Sequence, residues 1–380
     1  MEILVKASTK PGYVLPVEDA LFFGGTSAGI CYMPGDYESI LAEPAEKTVA
    51  RVNQTLGSGH HSVFDHCSYS LLMVGIPKIL AMVLNNERVY ATSEKSARYT
   101  RMEPSPQEKV LYDKWSLILE RLIIEEYPNL EGVKAHKLAQ ENARYMISVF
   151  TPTTMQYTVT LRQLNYIINW MKNFGDLHDG GDFFNKLQLH MDDFIVQTQS
   201  LFVDGLNDSA KHRSLSLFDD RPSRKEHFGE TYCTTYLGSF AQLAQAHRHR
   251  TIDYKMRLLD EPSYYIPRII EDDPSLVCEW LKDISSVADF YPQGMMVSIR
   301  ERGTYENFIL KTQERLCSSA QLEISRQTYT TLLWYLHETE IADPDVFSIL
   351  DGYRAGARCG SRFRCTNPCN WGVRQQDRLI

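Results

Sequence analysis

The sequence has no apolar run long enough to cross a bilayer. Its longest, YSLLMVGIPKILAMVL from Tyr69 to Leu84, is interrupted by Pro77 and Lys78, and a spanning helix needs about 20 apolar residues. No membrane partner is expected. The opening stretch MEILVKASTKPGYVLP lacks a continuous apolar segment followed by small residues, so no secretory leader is expected. Both absences point to the cytoplasm, where the eight cysteines should mostly stay reduced. A net positive charge is lacking as well. A formal net charge of -8 argues against a protein that coats nucleic acid, which needs many Lys and Arg over a broad surface. The late cysteines Cys359, Cys365 and Cys369 also lack the C-x2-C spacing that makes a zinc site persuasive.

What is present is enough apolar content for one large core or two ordinary ones, 43% of 380 residues. Apolar residues return every three or four positions in EKVLYDKWSLILERLIIEEY (108–127), which predicts an amphipathic core helix. Further helices are predicted over 160–173, 185–202, 238–248 and 305–335. RYMISVF (144–150) and GMMVSIR (294–300) read as strands, giving a mixed α+β class. Residues 204–229 are polar and weakly periodic and mark a linker. The two sides share an order of elements. IPKILAMVL runs into NNERVYATSEKSARYT before the linker, and LGSFAQLAQA runs into HRHRTIDYKMRLLDEP after it.

Local positive charge is concentrated in HRHR (247–250) and in the Arg-rich end beyond Tyr353. Such a cluster suits a small anion such as a nucleotide phosphate. Taken alone, it is equally compatible with a solvated helix face.

GHHSVFDHCSY (59–69), SEKSARY (93–99) and RHR (248–250) resemble the flavin-dependent thymidylate synthases. The family pattern occurs twice, each copy keeping a different part. In the first half Asn86, Glu87 and Arg88 stand where RHR belongs, but Glu94, Ser96, Arg98, Arg144 and Arg162 match, and Met171 occupies the place of a nucleotide-binding arginine. In the second half Gln245, Arg248, His249, Arg250 and Arg315 match, while Leu258, Leu259 and Asp260 replace the S-x-R positions and Asp253 replaces a serine. A carboxylate facing a phosphate would repel it.

The resemblance implies two tandem thymidylate-synthase-complementing-like domains, each a small, mostly antiparallel sheet with long helices. They would span 1–205 and a reduced copy at 230–342, joined by the 206–229 linker and followed by a basic Cys-containing extension at 343–380. Because family sites lie between subunits, a fused pair with one decayed site would keep complementary parts. Substrate contacts then fall to Glu94, Ser96, Arg98, Arg144, Gln245, Arg248 and Arg315, with Arg248 and Arg315 catalytic. Flavin contacts fall to His60, Ser62, Glu94, Arg162, Arg248, His249 and Arg250.

The implied reaction is methylation of dUMP to dTMP with FAD, methylenetetrahydrofolate and NADPH, in a homodimer of doubled chains. Two rivals stand beside it: C5 modification of UMP, dCMP or a phage-type nucleotide, and a non-catalytic nucleotide-binding regulator. His66 reads as a core or partner-facing histidine, and Arg250 alternatively as a clamp on the helix end. The three late cysteines would bind zinc or an iron–sulfur cluster with a fourth ligand such as Cys31, Cys233, Cys317 or a histidine, or simply remain reduced.

Overall fold

The computed structural model describes residues 12–34, 36–87, 90–95, 104–130, 132–178, 180–206, 217–218, 225–354 and 377–380. Two three-stranded sheets organise it. The first has the order β1-β3-β2, from β1 (Ser68–Pro77), β2 (Tyr90–Glu94) and β3 (Pro152–Thr160). The second has the order β4-β6-β5, from β4 (Thr231–Ser239), β5 (Asp253–Leu258) and β6 (Met296–Thr304), with both pairings antiparallel. In each half a short helix follows the first strand, Lys78–Asn86 or Phe240–Ala246, and another follows the third, Leu161–Lys172 or Tyr305–Arg315.

The chain divides into two compact units that are interleaved along it. Unit 1 holds 1–73, 88–93 and 156–215; unit 2 holds 74–87, 94–155 and 216–380. One boundary falls inside the expected 206–229 linker, while the others cut the first half. Unit 1 packs Ala28, Val52, Phe64, Tyr69 and Leu161 into its core. Unit 2 has a cluster around Trp115, Tyr145 and Trp280 and another around Tyr232, Phe308 and Tyr335. Trp115 and Trp280 meet edge to face with centroids 4.8 Å apart, the arrangement the ring quadrupoles favour.

The helix Pro106–Glu126 matches its predicted periodicity and starts on a capping box, Ser105 with Glu108, which satisfies two otherwise orphaned N–H groups. Two expectations need correction. RYMISVF is no strand: Arg144–Met146 is a single 3-10 turn, and the strand begins at Pro152. The expected helix 305–335 is two helices, Tyr305–Arg315 and Leu322–Ala342, with a turn between them. Part of the supposed linker is ordered: Leu217 and Phe218 are buried, and Phe218 bridges Met256 on the β5 edge. The helix Pro344–Asp351 packs into the core through Val346 and Leu350.

Hydrogen bonds inside unit 2 reproduce themselves when the halves are exchanged. Lys78 N donates to Thr151 O and Ile79 N to Val149 O; in the second half Phe240 N donates to Met295 O and Ala241 N to Gln293 O. Between these sets, Val149 N donates to Tyr291 O at 2.9 Å and Gln293 N to Ile147 O at 2.7 Å, around the Ser148–Pro292 bridge. Lys78 thus corresponds to Phe240, and Val149 to Gln293. The helix caps agree, since Thr160 accepts from Gln163 N and Thr304 from Asn307 N. The crossing is tight. A Cβ on Gly294 would lie 2.9 Å from Tyr145 Cβ, so any larger residue there must displace the segment.

Counting on from these anchors, Arg144 corresponds to Ala288, Met171 to Arg315, Asn86 to Arg248 and Glu94 to Met256. The first of each pair and the second differ in charge at every one of these positions.

Candidate active site

Unit 2 gathers charged and amide side chains from both sides of the sequence. The side chain of Glu94, at the end of β2, is 1% exposed. Its Oε1 accepts from Lys78 Nζ at 2.5 Å and its Oε2 from Asn85 Nδ2 at 3.3 Å. Arg248 Nη2 lies 4.0 Å from Oε2, outside hydrogen-bond reach, and its side chain keeps 41% of its exposure. Lys78 therefore satisfies the carboxylate, and Arg248 is left facing outward. Burial pushes the Lys78 ammonium down and Glu94 offsets this, while Arg248 and Arg144 add to the lowering.

Below this lies a buried chain of hydrogen bonds. Gln245, in the helix Phe240–Ala246, donates through Nε2 to Gln321 Oε1 at 2.7 Å and to Glu141 Oε1 at 3.4 Å. Arg144 also donates to Gln321 Oε1, and Gln321 Nε2 donates to Tyr145 Oη. Tyr145 Oη in turn donates to Glu323 Oε2 at 2.8 Å. Glu323 also accepts from Ser239 N at 2.8 Å and Ser239 Oγ at 2.6 Å. Burial pushes the Glu323 carboxyl up, and the Ser239 and Tyr145 donors oppose that.

Gln321 sits in the turn that splits the expected long helix. That turn is held by Arg378, 1% exposed, which donates to Ser318 O at 2.8 Å and to Ala320 O.

Arg315 ends the helix Tyr305–Arg315 and is 9% exposed. Its Nε donates to His249 Nε2 at 2.7 Å and its Nη2 to Gln245 O at 3.3 Å. His249 must be neutral to accept there. Burial first, then Arg315 and Lys311, push its pKa down from 6.5 to about 2. The 3.9 Å approach of His249 to Glu314 is therefore no ion pair.

This neutrality has a consequence for stability. An unfolded chain protonates this imidazole below pH 6.5, whereas the folded chain does so only near 2. The unfolded state thus binds the extra proton, and stability falls with falling pH by up to about 1.4 kcal/mol per unit from this group. Urea titrations at several pH values below 6.5 should show a flatter pH dependence for His249→Gln than for the parent; parallel curves would contradict the assignment.

Unit 1 holds the remaining described candidates. His60 and Ser62 are exposed beside the 3-10 turn His61–Asp65, and the buried ring is that of His61, whose Nε2 lies 2.9 Å from Leu56 O. His66 is exposed rather than in a core. Arg162 is engaged by Asp65 at 2.7 Å. Arg250 is exposed in the turn after Arg248.

Ser96 and Arg98 lie outside the described residues, as do Arg88, Cys359, Cys365 and Cys369. Among the described residues no group of three or more His, Cys, Asp or Glu is placed to hold a metal, and no helix is long and apolar enough to cross a membrane. Of the suggested fourth ligands, Cys31 is exposed and Cys233 buried.

The sequence reading missed Lys78, Glu141, Tyr145, Gln321, Glu323 and Arg378. Lys78 carried a signal, being a lone charge inside the longest apolar run. The others act through partners remote in sequence, such as Arg144 and Gln321.

Residues 25–172 match the family model described as thymidylate synthase complementing protein. The flavin-dependent thymidylate synthase of Thermococcus onnurineus (strain NA1) is 25% identical over 125 residues, covering 30% of this chain and 49% of that protein. That of Pyrococcus furiosus is 24% identical over 142 residues, covering 34% of this chain and 55% of that protein. The chain thus spans about half the length of the curated relatives it matches. The crystal structure of a flavin-dependent thymidylate synthase from Helicobacter pylori, complexed with FAD and dUMP, is 17% identical with a TM-score of 0.30, over 49% of this chain and 94% of that one.

Proposed function

We propose that this chain is an FAD-dependent enzyme that methylates C5 of dUMP, with methylenetetrahydrofolate as carbon donor and NADPH as reductant, at one composite site made by the two halves of the sequence. The observation that carries this reading is the convergence, within unit 2, of Glu94 and Arg144 from the first half on Arg248, Gln245 and Gln321 from the second. The exchangeable hydrogen-bond pattern around Ser148 and Pro292 supports an origin by tandem duplication.

Charge at corresponding positions supports survival of one site. Arg144, Arg248 and Arg315 face Ala288, Asn86 and Met171 in the other copy, which offer no cation.

The residues present fit a flavin and an anionic nucleotide. Arg248 and Arg250 are exposed cations on consecutive turns, suited to phosphate or to an electron-rich ring. A bound flavin would supply the hydride. The chain's own groups would orient and polarise the substrate. Arg98 and Ser96 would grip the phosphate. Arg315, held by a neutral His249, keeps its full charge, so it stabilises negative charge developing on a pyrimidine carbonyl oxygen during attack at C6.

Asp253, where the signature has serine, favours a different pyrimidine nucleotide as the second reading, although its carboxylate is engaged by Arg302 at 3.0 Å. The experiment is release of tritium from C5-labelled dUMP by purified protein with FAD, folate and NADPH. Release supports the enzyme reading. Flavin absorption and nucleotide binding without release from dUMP, UMP or dCMP would instead leave the regulatory one.

A further inference from the structure

The helix Val17–Tyr32 of unit 1 meets its neighbours on one side and leaves the other open. On the packed side a Cβ added to Gly24 would lie 2.7 Å from the Phe64 ring, and one on Gly25 2.5 Å from Val52 Cγ2, so the contact there is already complete. On the opposite side Asp19, Phe22, Phe23 and Thr26 share one face of the helix through their three- and four-residue steps. They line an open cleft of about 470 Å³ with Tyr37 and Leu41 of the helix Tyr37–Leu41. Ile30 and Met33 continue that face, making an apolar strip about 20 Å long. Phe22, Ile30, Met33 and Leu41 are 39–62% exposed, and a contiguous exposed apolar strip of this kind marks an interaction surface.

The charge around the cleft decides what it takes. Residues 11–46 hold Glu18, Asp19, Asp36, Glu38, Glu43 and Glu46 but no Lys or Arg. Glu43 turns to Arg51 at 2.5 Å, whereas Glu18, Asp19, Asp36 and Glu38 are all exposed. Nucleotides, flavins, folates and anionic lipid surfaces carry negative charge and would be repelled. We propose that the cleft docks a basic amphipathic helix of a partner protein, with its apolar residues in the strip and its Lys and Arg against Asp19 and the neighbouring carboxylates. An amphipathic helix laid into an apolar groove is a recurring mode of recognition, and about four turns of a partner helix match the length of the strip. The rings of Phe22, Phe23 and Tyr37 also favour a guanidinium. This docking goes beyond the nucleotide chemistry above and stands without it.

The test is fluorescence anisotropy of two labelled helical peptides of one amphipathic pattern, the first of leucine and arginine and the second of leucine and glutamate, titrated with the full chain. The arginine peptide should bind and the glutamate peptide should not. Phe22→Ser combined with Leu41→Ser should weaken the arginine peptide at least about tenfold. Asp19→Asn should weaken it about threefold at low salt and less at high salt. A surplus of dUMP should leave its binding unchanged. Should the double variant lose its folded circular dichroism, Ile30→Ser, at a position 62% exposed, should still cost about threefold. Equal binding of the two peptides, no binding of the arginine peptide, or displacement by dUMP overturns the inference. So does an affinity unchanged in the folded double variant, which would show charge attraction alone.

Discussion

Arg315→Ala should weaken dUMP binding about 100-fold, a loss of about 3 kcal/mol, while Met171→Ala should leave dUMP affinity within about twofold of the parent. These two residues occupy corresponding positions after β6 and β3. Arg315 carries a charge held in place by His249 and by the Gln245 carbonyl. A guanidinium so fixed loses little freedom when a ligand oxygen arrives, which is why its removal is expensive. Met171 is fully buried in unit 1, and its truncation leaves a cavity that should cost about 2–5 kcal/mol of stability. The pair therefore makes a crossed expectation, with one substitution acting on binding and the other on the fold. Calorimetric titration and urea denaturation on both proteins would read it. Loss of affinity in Met171→Ala, at a temperature where it stays folded, would argue that the first copy still serves a site.

Glu323→Ala should destabilise the chain by about 3–5 kcal/mol. Its carboxylate accepts from Ser239 N, Ser239 Oγ and Tyr145 Oη with every group buried. Alanine leaves three donors without an acceptor in a place water does not reach, and each orphan costs about 1–3 kcal/mol before relaxation. Glu323→Gln keeps an acceptor oxygen and sheds a charge that burial already disfavours, so its loss should be well under half as large. The comparison is a urea midpoint at constant m-value. Similar losses for both would place the cost in shape rather than in hydrogen bonding. Through Tyr145 and Gln321, the same variant should also loosen the Gln245 amide.

The long amphipathic helix over 106–126 and the cap-to-helix boundary at Thr160 were legible, because both depend on local pattern and capping. The strand before Thr160 was misplaced even though its alternation was present: Thr153, Met155, Tyr157 and Val159 are buried in turn along PTTMQYTVT. RYMISVF attracted the strand reading through its β-branched and alternating content; residues 144–149 are instead all buried in a crossing segment, where alternation has no meaning. The break after Arg315 was hidden because LCSSAQ continues a helical spacing, and what stops the helix is tertiary, the Arg378 guanidinium on the Ser318 and Ala320 carbonyls.

The candidate site divides in the same manner. Arg248, Arg315, Gln245 and Glu94 could be picked from motifs. Their orientation could not, since it depends on Lys78 holding Glu94 and on Arg144 reaching Gln321, 177 residues away. His249 was read as a flavin contact from its place in the motif; the fold turns its Nε2 to Arg315.

The account stands most directly on the number of nucleotides one chain binds. Calorimetric titration of the flavin-loaded protein with dUMP should give one site per chain, abolished by Arg248→Ala combined with Arg315→Ala. Two sites per chain, or one that survives this double substitution, would contradict a single pocket assembled from both halves.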